Sequence, residues 1–236
     1  MQHRTVQDLM TQQVVTVRRE APFKRVAELL AGHDVTAVPV VDGGFRPIGI
    51  VSESDLLRKE VVRPEPDGRS PIPWLHPRDR DRAEAETAAG LMTTLLVTAR
   101  PDWSVVEAAR TMERHHVKRL PVVDDTGVLV GVVSRGDLLR VFLRHDTAVR
   151  EEIVHDVLRL ALFIAPGAVQ VHVLDGVVTL TGQLERRSLL PVALRLCRTV
   201  DGVVAVHDRL TYAFDDRRDE DRSRPSAEGP VASRAE

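Results

Sequence analysis

Gly49-Ile50-Val51-Ser52-Glu53-Ser54-Asp55 decides the fold, because Gly131-Val132-Val133-Ser134-Arg135-Gly136-Asp137 repeats it 82 positions later. The same offset pairs Met10 with Met92, Thr16 with Thr98, Pro39 with Pro121 and Leu56-Leu57 with Leu138-Leu139. One Gly-x-x-Ser-x-x-Asp arises often by chance. A long, ungapped register of matches does not. A unit of roughly 60 residues has been duplicated, and a repeat of that size is read before anything else.

Outward from the first motif, Ile48 to Val51 pairs as a hairpin with Val38-Pro39-Val40-Val41-Asp42 across the Gly43-Gly44 turn. Ser52 stands where a helix N-cap belongs, with Asp55 at the third helical position before Leu56-Leu57. Upstream, Pro22 opens a helix with Val26, Leu29 and Leu30 on one face, and Val14 to Val17 is β-branched enough for a short strand. The second copy repeats this order, with Val105, Ala108, Ala109 and Met112 as its helical stripe and Asp124-Asp125-Thr126-Gly127 as its turn. Two β-α-β-β-α units are therefore expected, at residues 6–60 and 87–144. Residues 61–86 carry prolines and alternating charges and read as a linker, expected to be mobile over Arg78 to Glu86, with Trp74 as a candidate anchor.

A different module spans residues 146–214. Val149, Ile153, Val157 and Leu160 recur at helical spacing, and Val169, Val171 and Val173 alternate toward an Asp175-Gly176 turn. Val178 and Leu180 continue the return strand. Ser188 is placed to cap a second helix, with Pro191 in its first turn, and Val203 to Phe214 gives a third strand. The order is αββαβ. Residues 215–236 are charged, nearly without apolar side chains, and are expected to be disordered. The overall class is α/β (α+β).

Bulk properties narrow the function. The chain of 236 residues suits one large domain or two modest ones, and an aromatic content of 3% leaves the cores to Val, Leu, Ile and Ala. A net charge of −2 gives no electrostatic case for nucleic acid. The single Cys197 excludes an internal disulfide and a multi-cysteine metal site; its place on an apolar stripe marks it as core. No secretory signal or 18-residue apolar run is visible, so a cytoplasmic protein is expected.

The doubled motif joins a strand to a helix start, where free N–H groups and the helix dipole favour an anion. Its glycine permits close approach of a ligand to the backbone. Ser52 and Ser134 can donate to a phosphate or cap their own helices. Asp55 and Asp137 can accept from vicinal ribose hydroxyls or merely strengthen the helix start. Aliphatic residues near Val38 and Leu120 can sandwich a purine. No nucleophile–base pair, catalytic carboxylate pair or metal-ligand spacing is present, so neither a catalytic nor a metal site is expected.

Residues 6–144 resemble a tandem pair of CBS domains, the Bateman module. The resemblance is carried by Asp8-Leu9-Met10-Thr11, the Val38 to Asp42 and Leu120 to Gly127 segments, and the two motifs with their Leu pairs. It implies a pseudo-twofold pair with two clefts for adenosine ligands such as AMP, ADP, ATP or S-adenosylmethionine, and regulation rather than catalysis. It also implies a homodimer, with Asp55 and Asp137 as ribose ligands and Ser52 and Ser134 facing ribose or phosphate. Thr16 and Thr98, in the first strand of each copy, belong to the same ligand set. Residues 146–214 resemble a BON domain, which implies association with a protein partner or a phospholipid.

The copies differ where phosphate charge would be met. Basic residues before the Leu-Pro-Val strand often contact phosphate in this family; copy two has Lys118-Arg119 there and Arg135 in its motif. Copy one has Thr36-Ala37 and Glu53. A polyphosphate is therefore expected in the cleft served by copy two, unless Lys118 and Arg119 are only a solvated pair. No cofactor is implied beyond an adenine nucleotide as regulatory ligand, with or without magnesium. The leading expectation is a non-enzymatic sensor that relays nucleotide binding to the BON domain. The rivals are a ligand-free structural adaptor and a peripheral membrane protein acting through the BON domain.

Overall fold

The computed structural model describes residues 4–61, 82 and 84–216. Trp74, most of the proline-rich stretch and the tail from 217 onward lie outside the described residues. The chain divides into two compact units, one spanning Arg4–Leu139 and one beginning at Arg140.

In the first unit, copy one runs α1 (Val6–Leu9), β1 (Val17–Arg18), α2 (Phe23–Gly32), β2 (Ala37–Val41), β3 (Pro47–Ser52) and α3 (Glu53–Val61). Copy two runs α4 (Ala88–Leu91), α5 (Val105–Arg114), β4 (Arg119–Val123), β5 (Leu129–Ser134) and α6 (Arg135–Leu139). The hairpins share one register: Val38 faces Val51 and Val40 faces Gly49, as Leu120 faces Val133 and Val122 faces Gly131. Each turn is held by the aspartate that opens it. Asp42 Oδ1 accepts the Gly44 and Arg46 N–H groups, and Asp124 Oδ1 accepts those of Thr126 and Val128. A short side-chain acceptor near its own backbone favours such turns.

Both long helices end alike. Val35 N–H donates to the Leu30 carbonyl at 3.1 Å and Val117 N–H to that of Met112 at 3.0 Å, with Asp34 (φ 51°) and His116 (φ 52°) left-handed between. This is a Schellman-type stop using Asp and His in place of glycine. The α5 stripe is narrower than expected: Ala108 and Met112 are buried, while Ala109 is exposed.

The first strands also depart from expectation. In copy one the ladder begins at Val17, opposite Val40, and Val14 to Thr16 stay outside it. In copy two it shrinks to a single bridge between Ala99 and Val122. The next rung would need an N–H from residue 101. That residue is Pro101.

The lead-ins are exchanged between the copies. Val6 N–H donates to Trp103 O at 2.8 Å and Ala88 N–H to Ala21 O at 2.8 Å, the same contact under the offset of 82. Thr11 bridges Val132 of copy two, and Thr93 bridges Ile50 of copy one. Accordingly Ala88 and Leu91 sit in the core that contains Val17, Val26, Leu30, Val38, Val40 and Val51. Each copy completes the other's core, so neither buries its apolar face alone.

The second unit opens with a 3-10 turn (Arg140–Leu143), followed by an α-helix (Asp146–Glu152) that continues as a π-helix over Ile153–Ala161. β6 (Val169–Leu174), β7 (Val177–Arg186), α7 (Leu189–Thr199) and β8 (Ala205–Phe214) follow, with the sheet in the order β6-β7-β8 and β8 parallel to β7. The π winding changes which leucine is core. Leu162 N–H reaches back five residues to Val157 O, turning Leu158 inward and leaving Leu160 59% exposed. Asp175 and Gly176 both take positive φ, as the two-residue hairpin requires.

Ser188 does not cap α7. Its hydroxyl and N–H both donate to the Asp216 carboxylate, whose pKa these bonds lower. Arg187 pairs with Asp215 at 2.7 Å and lies 5.6 Å from the Tyr212 ring centre. Residues 215 and 216 thus join the fold at the point where the tail was expected to begin. Cys197 is fully buried, and burial pushes its thiol pKa up to about 11.

Candidate functional site

Both motifs fold into the same local device. Ser52 donates its N–H and hydroxyl to Asp55 Oδ2 at 2.9 and 2.6 Å; Ser134 donates the same groups to Asp137 Oδ2 at 2.9 and 2.7 Å. The Asp137 N–H returns to Ser134 Oγ at 3.3 Å. This is a capping box with aspartate at the third position. The reciprocal cap is complete at Ser134, while at Ser52 the aspartate half of the box is formed; in both copies the serine orients the carboxylate.

The glycines serve packing, not ligand approach. A Cβ on Gly49 would lie 2.4 Å from Met92 Sδ and 2.9 Å from Met92 Cβ; one on Gly131 would lie 2.4 Å from Met10 Sδ. Each glycine admits the methionine of the other copy's lead-in. The offset pairing of Met10 with Met92 in the sequence was the sign of this.

The exchange also builds a cleft. Thr11, Gln13, Val14 and Val15 of the first lead-in run beside Val132, Ser134 and Asp137 of copy two. The turn after α2 (Asp34, Val35, Thr36), with Ala37 and Pro39 of β2 and Arg119 of β4, completes a cavity of about 290 Å³. That volume is at the small end for a ligand pocket. Its walls are aliphatic and its charged lining residues are Asp34, Arg119 and Asp137. Arg119 is half-buried and donates to the Thr36 hydroxyl. Burial pulls its guanidinium below the ordinary value, and the charge of Glu53 opposes that. A partly dehydrated guanidinium in a cleft favours an anionic oxygen.

Of the residues expected in a ligand set, the structure brings Ser134, Asp137 and Arg119 together here. Lys118 and Arg135 are exposed and do not line this cleft; Arg135 lies 3.9 Å from Glu113. Lys118 matches Thr36 under the offset, and its carbonyl accepts the Arg135 N–H at 3.0 Å, at the end of its own hairpin. Asp55 is 5% exposed, and its Oδ1 accepts from Arg58 at 2.6 Å. Thr16 and Thr98 are half-buried and outside this lining. Val38 and Leu120 are fully buried core side chains and offer no face to a purine. Ala37 and Pro39 flank Val38 on the same strand and supply the wall instead, because strand neighbours point to opposite faces.

Among the described residues there is no cluster of three or more His, Cys, Asp or Glu side chains suited to a metal ion. None of the described helices is long and apolar enough to cross a membrane.

The CBS domain model matches residues 6–61 and 88–144, the two copies whose exchange builds the cleft. The CBS domain-containing protein YhcV of Bacillus subtilis is 32% identical over 134 residues, covering 57% of this chain and 82% of that protein. This chain belongs to the CBS-domain family. The CBS pair is followed by a match to the BON domain model over residues 146–213. The chloroplastic CBS domain-containing protein CBSX2 of Arabidopsis thaliana is 29% identical over 152 residues, covering 59% of this chain and 64% of that protein. A crystal structure of CBSX2 in complex with AMP superposes with a TM-score of 0.50 at 27% identity, covering 59% of this chain and 96% of the other.

Proposed function

We propose that the CBS pair is a regulatory module that binds an adenosine-type nucleotide (AMP, ADP or ATP) in the cleft holding Asp137, and that binding alters what the BON domain contacts. The observation that carries this reading is the convergence of Ser134, Asp137 and Arg119 with the aliphatic residues Val14, Val15 and Val35 in one cavity. An oriented carboxylate suits ribose hydroxyls, a guanidinium suits phosphate, and small aliphatic walls suit a purine. CBSX2, a structural relative with its ligand in place, binds AMP. In this reading the protein is non-enzymatic, and the pair forms a homodimer.

Binding shifts a regulatory equilibrium only by its difference in affinity between two arrangements. The test is calorimetry of the full chain with AMP, ADP, ATP and S-adenosylmethionine, alongside Asp137→Ala. Saturable binding lost in Asp137→Ala supports the reading. No heat from any titrant, or equal affinity in the variant, removes it and leaves the ligand-free adaptor. For the BON domain, liposome co-sedimentation separates a phospholipid from a protein partner. Sedimentation velocity reads the dimer.

A further inference from the structure

We infer that Asp34 makes this cleft selective by charge, admitting an adenosine ligand with one phosphate and disfavouring di- and triphosphates. The inference rests on the adenosine reading above. The cleft's charged lining is one guanidinium, Arg119, against two carboxylates, Asp34 and Asp137. Arg119 also feels the charge of Glu53 and already donates to Thr36. One phosphate can use Arg119. Each further phosphate adds negative charge to a cleft whose remaining charged lining is acidic, while Lys118 and Arg135 do not line it.

Asp34 is the residue that sets this limit, because Asp137 is tied to Ser134 and positioned for the ribose. Asp34 is exposed at the turn after α2, and its backbone is fixed there by the Schellman bond from Val35 to Leu30. Its counterpart at the same turn of copy two is His116, so that turn accepts a side chain without negative charge. The carboxylate is thus not what the turn needs.

The experiment is calorimetry of the full chain with AMP, ADP and ATP in EDTA, comparing wild type with Asp34→Asn. Asparagine keeps the left-handed turn and removes the charge. Wild type should bind AMP about tenfold or more tighter than ATP, the size of one like-charge contact in a partly solvated cleft. Asp34→Asn should leave AMP within about twofold and tighten ATP about tenfold. Raising the salt should shrink the wild-type preference and not alter the variant's. An unchanged ATP-to-AMP ratio in Asp34→Asn overturns the inference and leaves the adenosine reading standing. Equal weakening of AMP and ATP also overturns it, since Asp34 would then be a nucleoside contact. No binding of any nucleotide by wild type removes both.

Discussion

The two copies agree in backbone and differ in charge. Their hairpins share a register, their long helices stop at left-handed Asp34 and His116, and their serine–aspartate caps match to 0.1 Å in each hydrogen bond compared. Around that common frame, Thr36-Ala37 faces Lys118-Arg119, and Glu53 stands where copy two has Arg135. The frame is fixed by local bonds and by the exchanged lead-ins, so changing it costs stability. The charged positions project from it and change at little cost to folding. One duplicated scaffold can therefore surround its two serine–aspartate pairs with different electrostatics.

The strongest test of the shared frame is at its glycines. Gly49→Val should destabilise the first unit by about 3 kcal/mol, because the added atoms meet Met92 down to its Cβ. Gly131→Val should cost less: its close contacts with Met10 are Sδ and Cγ, which can swing aside, though Thr11 O stays 3.2 Å away. Urea denaturation reads both. A Met92→Ala change should partly rescue Gly49→Val and not Gly131→Val; the reverse would break the exchanged pairing.

Next in size is the divergence of the aspartates. Asp137→Ala should weaken AMP binding about thirtyfold, or about 2 kcal/mol, with a modest loss of cap stability. Asp55→Ala should cost about 2 kcal/mol of stability, since it strips the Ser52 cap and leaves Arg58 without its 2.6 Å partner. It should leave AMP in the Asp137 cleft within about threefold. AMP lost in Asp55→Ala and kept in Asp137→Ala would move the working site from Asp137 to Asp55.

What was legible in the sequence was what is local. The hairpins, the helix starts at Ser52 and Ser134 and the mixed α/β class follow from spacing within a few residues, and the duplication from comparing such local patterns at an offset of 82. The exchange of lead-ins was not legible, because the apolar pattern of Val6 to Met10 is the same whichever copy it packs against. That exchange brings Thr11, Gln13, Val14 and Val15 beside Asp137, so this part of the cleft wall was missed. Asp34 was missed because a charged residue after a helix reads as ordinary surface. Val38 and Leu120 lie on the expected strands, but period-two alternation turns them into the core. At Leu160 a 3.6-residue template fails because the helix there winds with five-residue bonds.

Smaller again is the contrast between adjacent basic residues. In the proposed binding mode the phosphate alone meets the guanidinium, so Arg119→Ala should weaken AMP about tenfold and leave adenosine nearly unchanged. Lys118→Ala should change AMP in this cleft by less than about twofold. If Lys118→Ala costs as much as Arg119→Ala, basic charge acts at long range and the division of the two clefts by side chain fails; raising salt then removes both effects.

The smallest difference lies in the helix starts, where the frame itself is unequal. Ser104 caps α5 by accepting the Glu107 N–H at 3.1 Å, while Pro22 begins α2 with no side-chain cap. Ser104→Ala should therefore cost about 1 kcal/mol, and Pro22→Ala only a few tenths, through greater freedom of the unfolded chain. Neither residue lines the cleft, so AMP affinity at saturating stability should stay within about twofold in both. The consequence is sharper than the size suggests. Since Ala88 and Leu91 complete the core of copy one, and Val6 bonds to Trp103 just before α5, a weakened α5 start should lower the unfolding midpoint of the whole first unit together. Hydrogen exchange decides this. Protection lost equally in α2 and α5 means the exchanged lead-ins make one cooperative unit, whereas loss confined to α5 means each copy opens by itself.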